Sequence, residues 1–227
     1  MNKKILLTIT ALFITQVGFA QIELDDYVNN VSEAFEGTTV ATFKYTAVEG
    51  TPFLFENFVK GVLISGKSQT VPVNLNFDLA NNQIIVSQDR KLIGIDNAAV
   101  TSIKIESPNI TFKNRFNTNG KDDLNKNSLF EVVFEGDSFS LLKHTGVTLQ
   151  KDVSSYGTAV QTDVYIKYTS YYVIKNGEFD RLKMNKRNIL RAFGDKRKAV
   201  DSYAKENRTD FKNDADLAKL FSYANSL

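Results

Sequence analysis

"GVLISGKSQTVPVNLNFDL", Gly61 to Leu79, admits two incompatible readings, and choosing between them decides the fold. Its first eight residues match the phosphate-cradling pattern G-x-x-x-x-G-K-[ST]. That pattern works only where a strand ends in a glycine-rich loop and a helix starts at the Lys-[ST] pair, adding its positive end to the loop N–H groups. Here the variable positions are Val62, Leu63, Ile64 and Ser65, which are strand residues. Pro72 stands where the first helical turn would run. The second reading fits instead: Val71, Val73, Leu75, Phe77 and Leu79 alternate with Pro72, Asn74, Asn76 and Asp78, a strand with one apolar and one wet face. Ser65-Gly66-Lys67 then becomes the turn of a hairpin, and nucleotide binding drops out.

The same period continues in both directions. Gln83 to Ser87, Lys91 to Ile95, Ala99 to Glu106, Asn109 to Lys113, Phe130 to Glu135, Ser138 to Lys143 and Val147 to Lys151 are expected strands separated by turn residues. A Tyr-rich run, Asp163 to Lys175, meets Glu178 to Met184 across Asn176-Gly177, the strongest two-residue hairpin signal in the chain. Alternation puts Tyr168 and Tyr172 on one face with Ile166 and Ile174, and Tyr165 and Tyr171 on the other with Val173. Strands at this spacing without intervening helices predict a mainly β fold with α, an antiparallel sandwich or barrel-like sheet. Asn114 to Asn127, polar and charged, is expected to be a mobile loop within it.

Helical spacing appears only at the ends. Leu24, Tyr27, Val28, Val31 and Phe35 define a short N-terminal helix that stops at Gly37. Three short C-terminal helices are expected: Ile189, Leu190 and Phe193 ending at Gly194; Ala199, Val200 and Tyr203 capped by Asp195; and Leu217, Leu220, Phe221 and Ala224 capped by Asp214. The expected organisation is a signal peptide over 1–20, a helix over 21–37, an antiparallel β domain over 38–184 and a helical segment over 185–227. "FEGTTVATFKY" at Phe35 and "FEGDSFSLLKH" at Phe134 echo one another, but the echo stops after eleven residues and does not establish a repeat.

Lys3 and Lys4, the apolar run Ile5 to Val17 and the small residues Gly18 and Ala20 are the three parts of an export leader, so periplasmic or secreted placement is expected. No later run is apolar and long enough for a transmembrane helix. Without the leader the chain holds equal numbers of basic and acidic residues, 26 of each, so the overall pI carries no argument for nucleic acid. The charge is unevenly placed: 14 Lys/Arg against 20 Asp/Glu over 21–180, and 12 against 6 over 181–227. Lys186, Arg187, Arg191, Lys196, Arg197 and Lys198 concentrate this basic tail and form the candidate interaction surface for an acidic protein, a polyanionic glycan or an anionic lipid of the envelope.

The chain contains no cysteine, which excludes disulfides and thiol chemistry. A single histidine, His144, excludes histidine-based metal clusters, and no GxSxG serine accompanies it. "NTNGKDDLN" around Asp122-Asp123 lacks the ligand spacing of a calcium loop, and Asp25-Asp26 falls in the expected N-terminal helix. No catalytic, metal or cofactor-binding residue is assigned.

Gly50-x-Pro52, Phe58, Gly61, "VPVNLNFDL" and the spacing of Tyr203, Phe211, Leu217, Leu220 and Tyr223 resemble a family of exported β-rich proteins found in one phylum of Gram-negative bacteria. The resemblance covers most of the chain after the leader and carries no known activity or site residue. It implies an envelope setting. The expected function is an exported non-enzymatic binding or interaction protein. A periplasmic carrier of an apolar ligand, held in a β cavity under a helical lid, is the alternative, and a carboxylate-based hydrolase comes after it.

Overall fold

The computed structural model describes residues 31–35, 39–40, 48–154 and 161–227. The expected leader, most of the expected N-terminal helix and most of the first copy of the echo lie outside them. Twelve strands share one sheet: β1 (Thr39–Val40), β2 (Val48–Glu49), β3 (Val59–Ser65), β4 (Thr70–Asp78), β5 (Gln83–Gln88), β6 (Lys91–Ile95), β7 (Val100–Ile105), β8 (Ile110–Lys113), β9 (Phe130–Glu135), β10 (Phe139–Ser154), β11 (Gln161–Lys175) and β12 (Glu178–Leu182). The order across it is β1-β6-β5-β4-β3-β7-β8-β9-β10-β11-β12, open at both ends, with β2 pairing β11 off this path. The ten longer strands are all antiparallel, and only the two-residue β2 runs parallel to its neighbour. Among the described residues four α-helices accompany the sheet: α1 (Val31–Ala34), α2 (Lys186–Ala192), α3 (Arg197–Glu206) and α4 (Asp214–Ser226).

The sheet is forced to curl by one short connection. β6 and β7 lie four places apart in the order, about 19 Å across a flat sheet at the usual strand spacing. Five residue steps join Ile95 to Val100, and three of the intervening residues, Asn97–Ala99, form a 3-10 turn, whose short rise per residue leaves a reach well below that distance. The strands from β6 to β7 therefore bend back on themselves, and Gly66 N–H donates to Ala99 O (3.2 Å), extending the β3–β7 pairing into the connection. Leu63, Val71, Leu75, Phe77, Ile84, Val86, Ile95, Val100 and Ile103 fill the concave side, joined by Val31 and Phe35 from the α1 region.

The alternation read in β4 holds at its start, where Val71 is buried and Pro72 and Asn74 are exposed, and fails at its end. Asn76 and Asp78, expected to be wet, are each 2% exposed. The chain just before β3 crosses over Asn76, whose Oδ1 accepts from Phe55 N–H (3.1 Å) and whose Nδ2 donates to Phe55 O (3.0 Å). Asp78 is drawn into the β4–β5 turn, accepting from Ala80 N–H and Asn81 N–H (both 3.1 Å) and from Asn81 Nδ2 (2.6 Å). Both residues are hydrogen-bonded replacements for apolar ones, which is how a polar side chain tolerates burial.

The second half, β9–β12, is apolar on both faces. Phe139, Leu141, Val173 and Leu182 point to one side, where Ile189, Leu190, Phe193, Val200, Leu217, Leu220 and Phe221 of the helical segment cover them. Phe130, Leu142, Tyr172 and Phe179 point to the other side, where Leu124 covers them. The Tyr alternation read from sequence is therefore observed, with Tyr171 and Tyr172 facing opposite layers.

Leu124 belongs to the stretch 114–127, expected to be a mobile loop and found instead packed against the sheet. Asn114 Nδ2 donates to Asn97 O (2.6 Å) and Val100 O (2.8 Å), Thr118 Oγ1 donates to Leu124 O (2.7 Å), and Lys121 Nζ donates to Phe179 O (2.8 Å) and pairs with Asp180. Its polar residues satisfy the backbone of a coil that must lie over a hydrophobic face.

Two further expectations are corrected. Ser138–Lys143 and Val147–Lys151, read as separate strands, are one sixteen-residue β10; Gly146, between them, sits opposite Tyr168, and the register against β11 shifts only farther on, between Gln150 and Val153. Asn185 caps α2, for which the sequence reading offers no cap, and Asn213, in place of Asp214, caps α4, accepting from Asn188 N–H and Asp216 N–H, while α3 continues from a 3-10 turn, Gly194–Lys196, with no side-chain cap from Asp195.

Candidate functional site

The six basic residues singled out in the tail do not form one surface. Lys186 binds Asp201 (3.1 Å) and lies over the Phe211 ring (5.6 Å). Lys196 Nζ donates to Ala224 O (3.1 Å) and lies over Phe139 (5.3 Å), tying the turn before α3 to α4. Both are structural. Arg197 and Lys198 are exposed on α3. Only Arg187 and Arg191, one turn apart on α2, converge, lining with Lys175, Arg181 and Lys183 a shallow groove of about 840 Å³ beside β12 in which Glu178 and Asp180 are the opposing charges.

The better-formed cleft was missed by sequence reasoning. It lies at the seam between the curled half and the helix-covered half, has a volume of about 260 Å³, and draws on four separate parts of the chain: the β4–β5 turn, the turn before β7, the docked loop and the middle of β10–β11. The residues that give it chemical character are Asn82, Asn97, Asp122, Asp123, His144 and Tyr168.

Asn97 is 2% exposed. Its Nδ2 donates to Asn82 O and Asn82 Oδ1 (both 3.0 Å), which fixes which end of the amide is which, and its Oδ1 has no partner. A buried acceptor without a donor costs about 1–3 kcal/mol, a cost that a ligand donor or water reaching this atom from the cleft would relieve. Asn114 Oδ1, behind it, is also unsatisfied.

His144 contributes a second acceptor. Its Nδ1 lies 3.1 Å from Leu129 O, and a carbonyl can only accept, so Nδ1 carries the proton and Nε2 the lone pair. Burial lowers its pKa below the usual histidine value against the opposing effect of that hydrogen bond, keeping the ring neutral. Asp122 accepts from the Tyr172 hydroxyl (2.7 Å) and lies 3.4 Å from Arg181. Burial, with this hydrogen bond, pushes the Tyr172 phenol up to about 12. Tyr168 is 47% exposed at the rim. Its ring lies directly over Gly146, and a Cβ there would overlap the ring, which explains a glycine in the middle of a long strand.

Elsewhere, Lys143 on the opposite face binds Asp214 (2.8 Å) and Glu131 (3.1 Å), and the Tyr171 hydroxyl donates to Asp214 (2.8 Å). Because Asn213 takes the capping role, Asp214 is free to anchor α4 to the sheet. The P-loop-like stretch forms β3 and its hairpin turn, in which Ser65 Oγ accepts from Lys67 N–H and Gln69 N–H (both 3.2 Å). Among the described residues no three His, Asp or Glu converge as a metal site, and no helix is long and apolar enough to cross a membrane.

Comparison with protein-family models, with curated proteins and with solved structures returned no match. The reading of this site therefore rests on its own chemistry.

Proposed function

We propose that the protein is an exported, non-enzymatic binding protein of the cell envelope, whose ligand seats in the seam cleft. The observation that carries this reading is the orphaned Asn97 Oδ1, buried at a concave junction of four chain segments. A ligand site needs few but well-placed polar groups on a rigid frame. Here strands on either side supply the frame, and β3–β7 acts as a barrel-like half with the cleft at its rim.

The hollows favour this reading over the apolar carrier. The concave side of the curled half is filled by packed Leu, Ile, Val and Phe side chains. A further hollow beside it, about 370 Å³, has Val31, Pro72, Val73 and Val86 in its wall but also Lys60, Asn74, Ser87 and Glu106, whose charged and polar groups a lipid tail would have to desolvate. A carboxylate hydrolase is less well supported, because Asp122 is held by Tyr172 and Arg181 and Asp78 by its own turn. The test is native mass spectrometry of protein isolated from its own envelope without detergent, with in-cell cross-linking from a photoreactive residue at Asp123. A polar adduct or a cross-linked neighbour at the cleft is expected. An adduct that extracts into organic solvent would install the carrier in its place.

A further inference from the structure

We infer that the seam cleft recognises an organic cation, an ammonium or guanidinium group, rather than a neutral sugar, an anion or a metal ion. This rests on the cleft being the binding site.

The sign of the cleft follows from its lining. Asp78, Asp122 and Asp123 line it with no lysine or arginine among the described lining residues; Arg181, outside the lining, lies 3.4 Å from Asp122, which leaves the net negative charge with Asp78 and Asp123. Its two uncommitted neutral atoms, Asn97 Oδ1 and His144 Nε2, are both acceptors. Asn97 Nδ2 and His144 Nδ1, the donors on the same side chains, are already bonded to Asn82 and Leu129. A partner for such a lining must donate, and it gains most if it is charged. Neutral sugars can donate hydroxyls to these acceptors but bring no charge to offset the carboxylates. Inorganic or carboxylate anions are repelled.

A metal ion is disfavoured by a different observation. Calcium requires several oxygen ligands around one point, and the cleft carboxylates do not converge. Asp122 is turned toward Tyr172 and Arg181, and Asp78 is enclosed by the Ala80–Asn81 turn. An organic cation, by contrast, spreads its donors over separated acceptors and carries an apolar stem. The exposed Tyr168 ring, braced on Gly146 at the rim, supplies a face for the cation or its stem. The cleft, about 260 Å³, suits one small cation or one basic side chain rather than a long chain.

His144 is the only histidine, so its imidazole NMR signals report on the cleft without assignment ambiguity. The purified protein is titrated separately with butylamine, propylguanidine, a blocked lysine peptide, N-acetylglucosamine, calcium chloride and sodium acetate. The cations should shift the His144 signals saturably, with Asn97→Ala weakening binding at least tenfold. Tyr168→Ala, at an exposed position that does not threaten folding, should weaken it about two- to fivefold, the range for a rim cation–π contact. Preference for the peptide over the free amines would identify the source as a protein side chain, and the reverse a free amine. Saturable binding of N-acetylglucosamine or acetate without cation binding would overturn the inference while leaving the cleft as the binding site. Calcium displacing the amines at equal or lower concentration would overturn it in favour of a metal. No response of His144 to any probe would remove both the inference and the cleft.

Discussion

Replacing Lys143 with methionine tests how the helical segment is held to the sheet. The ammonium lies 2.8 Å from Asp214 and 3.1 Å from Glu131, and the three side chains are 22%, 31% and 17% exposed. Charged hydrogen bonds contribute about 1.5–3 kcal/mol when sheltered, and exposed ion pairs about 0.2–1. This cluster sits between those limits, and the methionine leaves two carboxylates facing one another, so a loss of about 2–3 kcal/mol is expected. For a chain of this length that is a fall in Tm of roughly 5–10 °C. Urea unfolding measures the loss, and amide exchange in the first turn of α4 should accelerate more than in β4. Asp214→Asn in the same chain should recover part of it, a coupling of about 1–2 kcal/mol in a double-mutant cycle. The pH dependence of the unmodified protein gives an independent check. Burial opposes the charge of Lys143, but hydrogen bonds and attraction from Asp214 and Glu131 outweigh it and raise its pKa; burial and the bond to Asp214 push Tyr171 up to about 12. Both groups hold their protons more tightly folded than unfolded. Their contribution is complete below about pH 10 and is lost as pH rises through the folded values. A cost under about 0.5 kcal/mol, or costs that simply add, would refute the anchoring role.

His144 titrates in the opposite sense: its folded pKa is depressed, so its stabilising contribution is present above about pH 6.5 and declines as pH falls through the folded value. His144→Gln should flatten the acid limb of a denaturation-midpoint profile; an unchanged slope would count against a neutral buried ring. Asn225 Oδ1 accepts from Ser138 N–H (2.8 Å) and Phe139 N–H (3.3 Å), joining the end of α4 to the β9–β10 turn, so Asn225→Ala should cost about 1–2 kcal/mol in urea unfolding. Gly146→Ala should displace the Tyr168 ring and weaken cation binding without collapsing the fold, which a paired thermal melt and titration can separate. At the β11–β12 turn, Asn176 and Gly177 have φ of 51° and 79°, and Gly177→Ala should cost about 1 kcal/mol by equilibrium unfolding.

What could be read from the sequence was what short stretches dictate alone. Val71 to Phe77 alternate because a strand turns every second side chain to the same face, and the hairpin at Asn176-Gly177 is specified by two residues that tolerate positive φ. Those rules placed nearly all the strands and exposed the nucleotide motif as a coincidence. They failed where distant chain arrives to change a local environment. Asn76 reads as wet until residues around Phe55 cross over it, and Gly146 reads as a break until Tyr168 is known to need the space. The stretch 114–127 reads as a free loop because its polar composition does not reveal the apolar face beneath Leu124.

The candidate site belongs to this second category. Asn97, Asp122, His144 and Tyr168 come from four elements, and nothing in their sequence neighbourhoods distinguishes them from ordinary turn and strand residues. Composition alone ruled out disulfides, thiol chemistry and histidine-based metal clusters, and local alternation settled an antiparallel β architecture. The cleft exists because a short β6–β7 connection curls the sheet and brings its turns against the docked loop, leaving the Asn97 amide oxygen buried without a donor. An unpaired acceptor is a property of what surrounds an atom, so only the tertiary structure decides it.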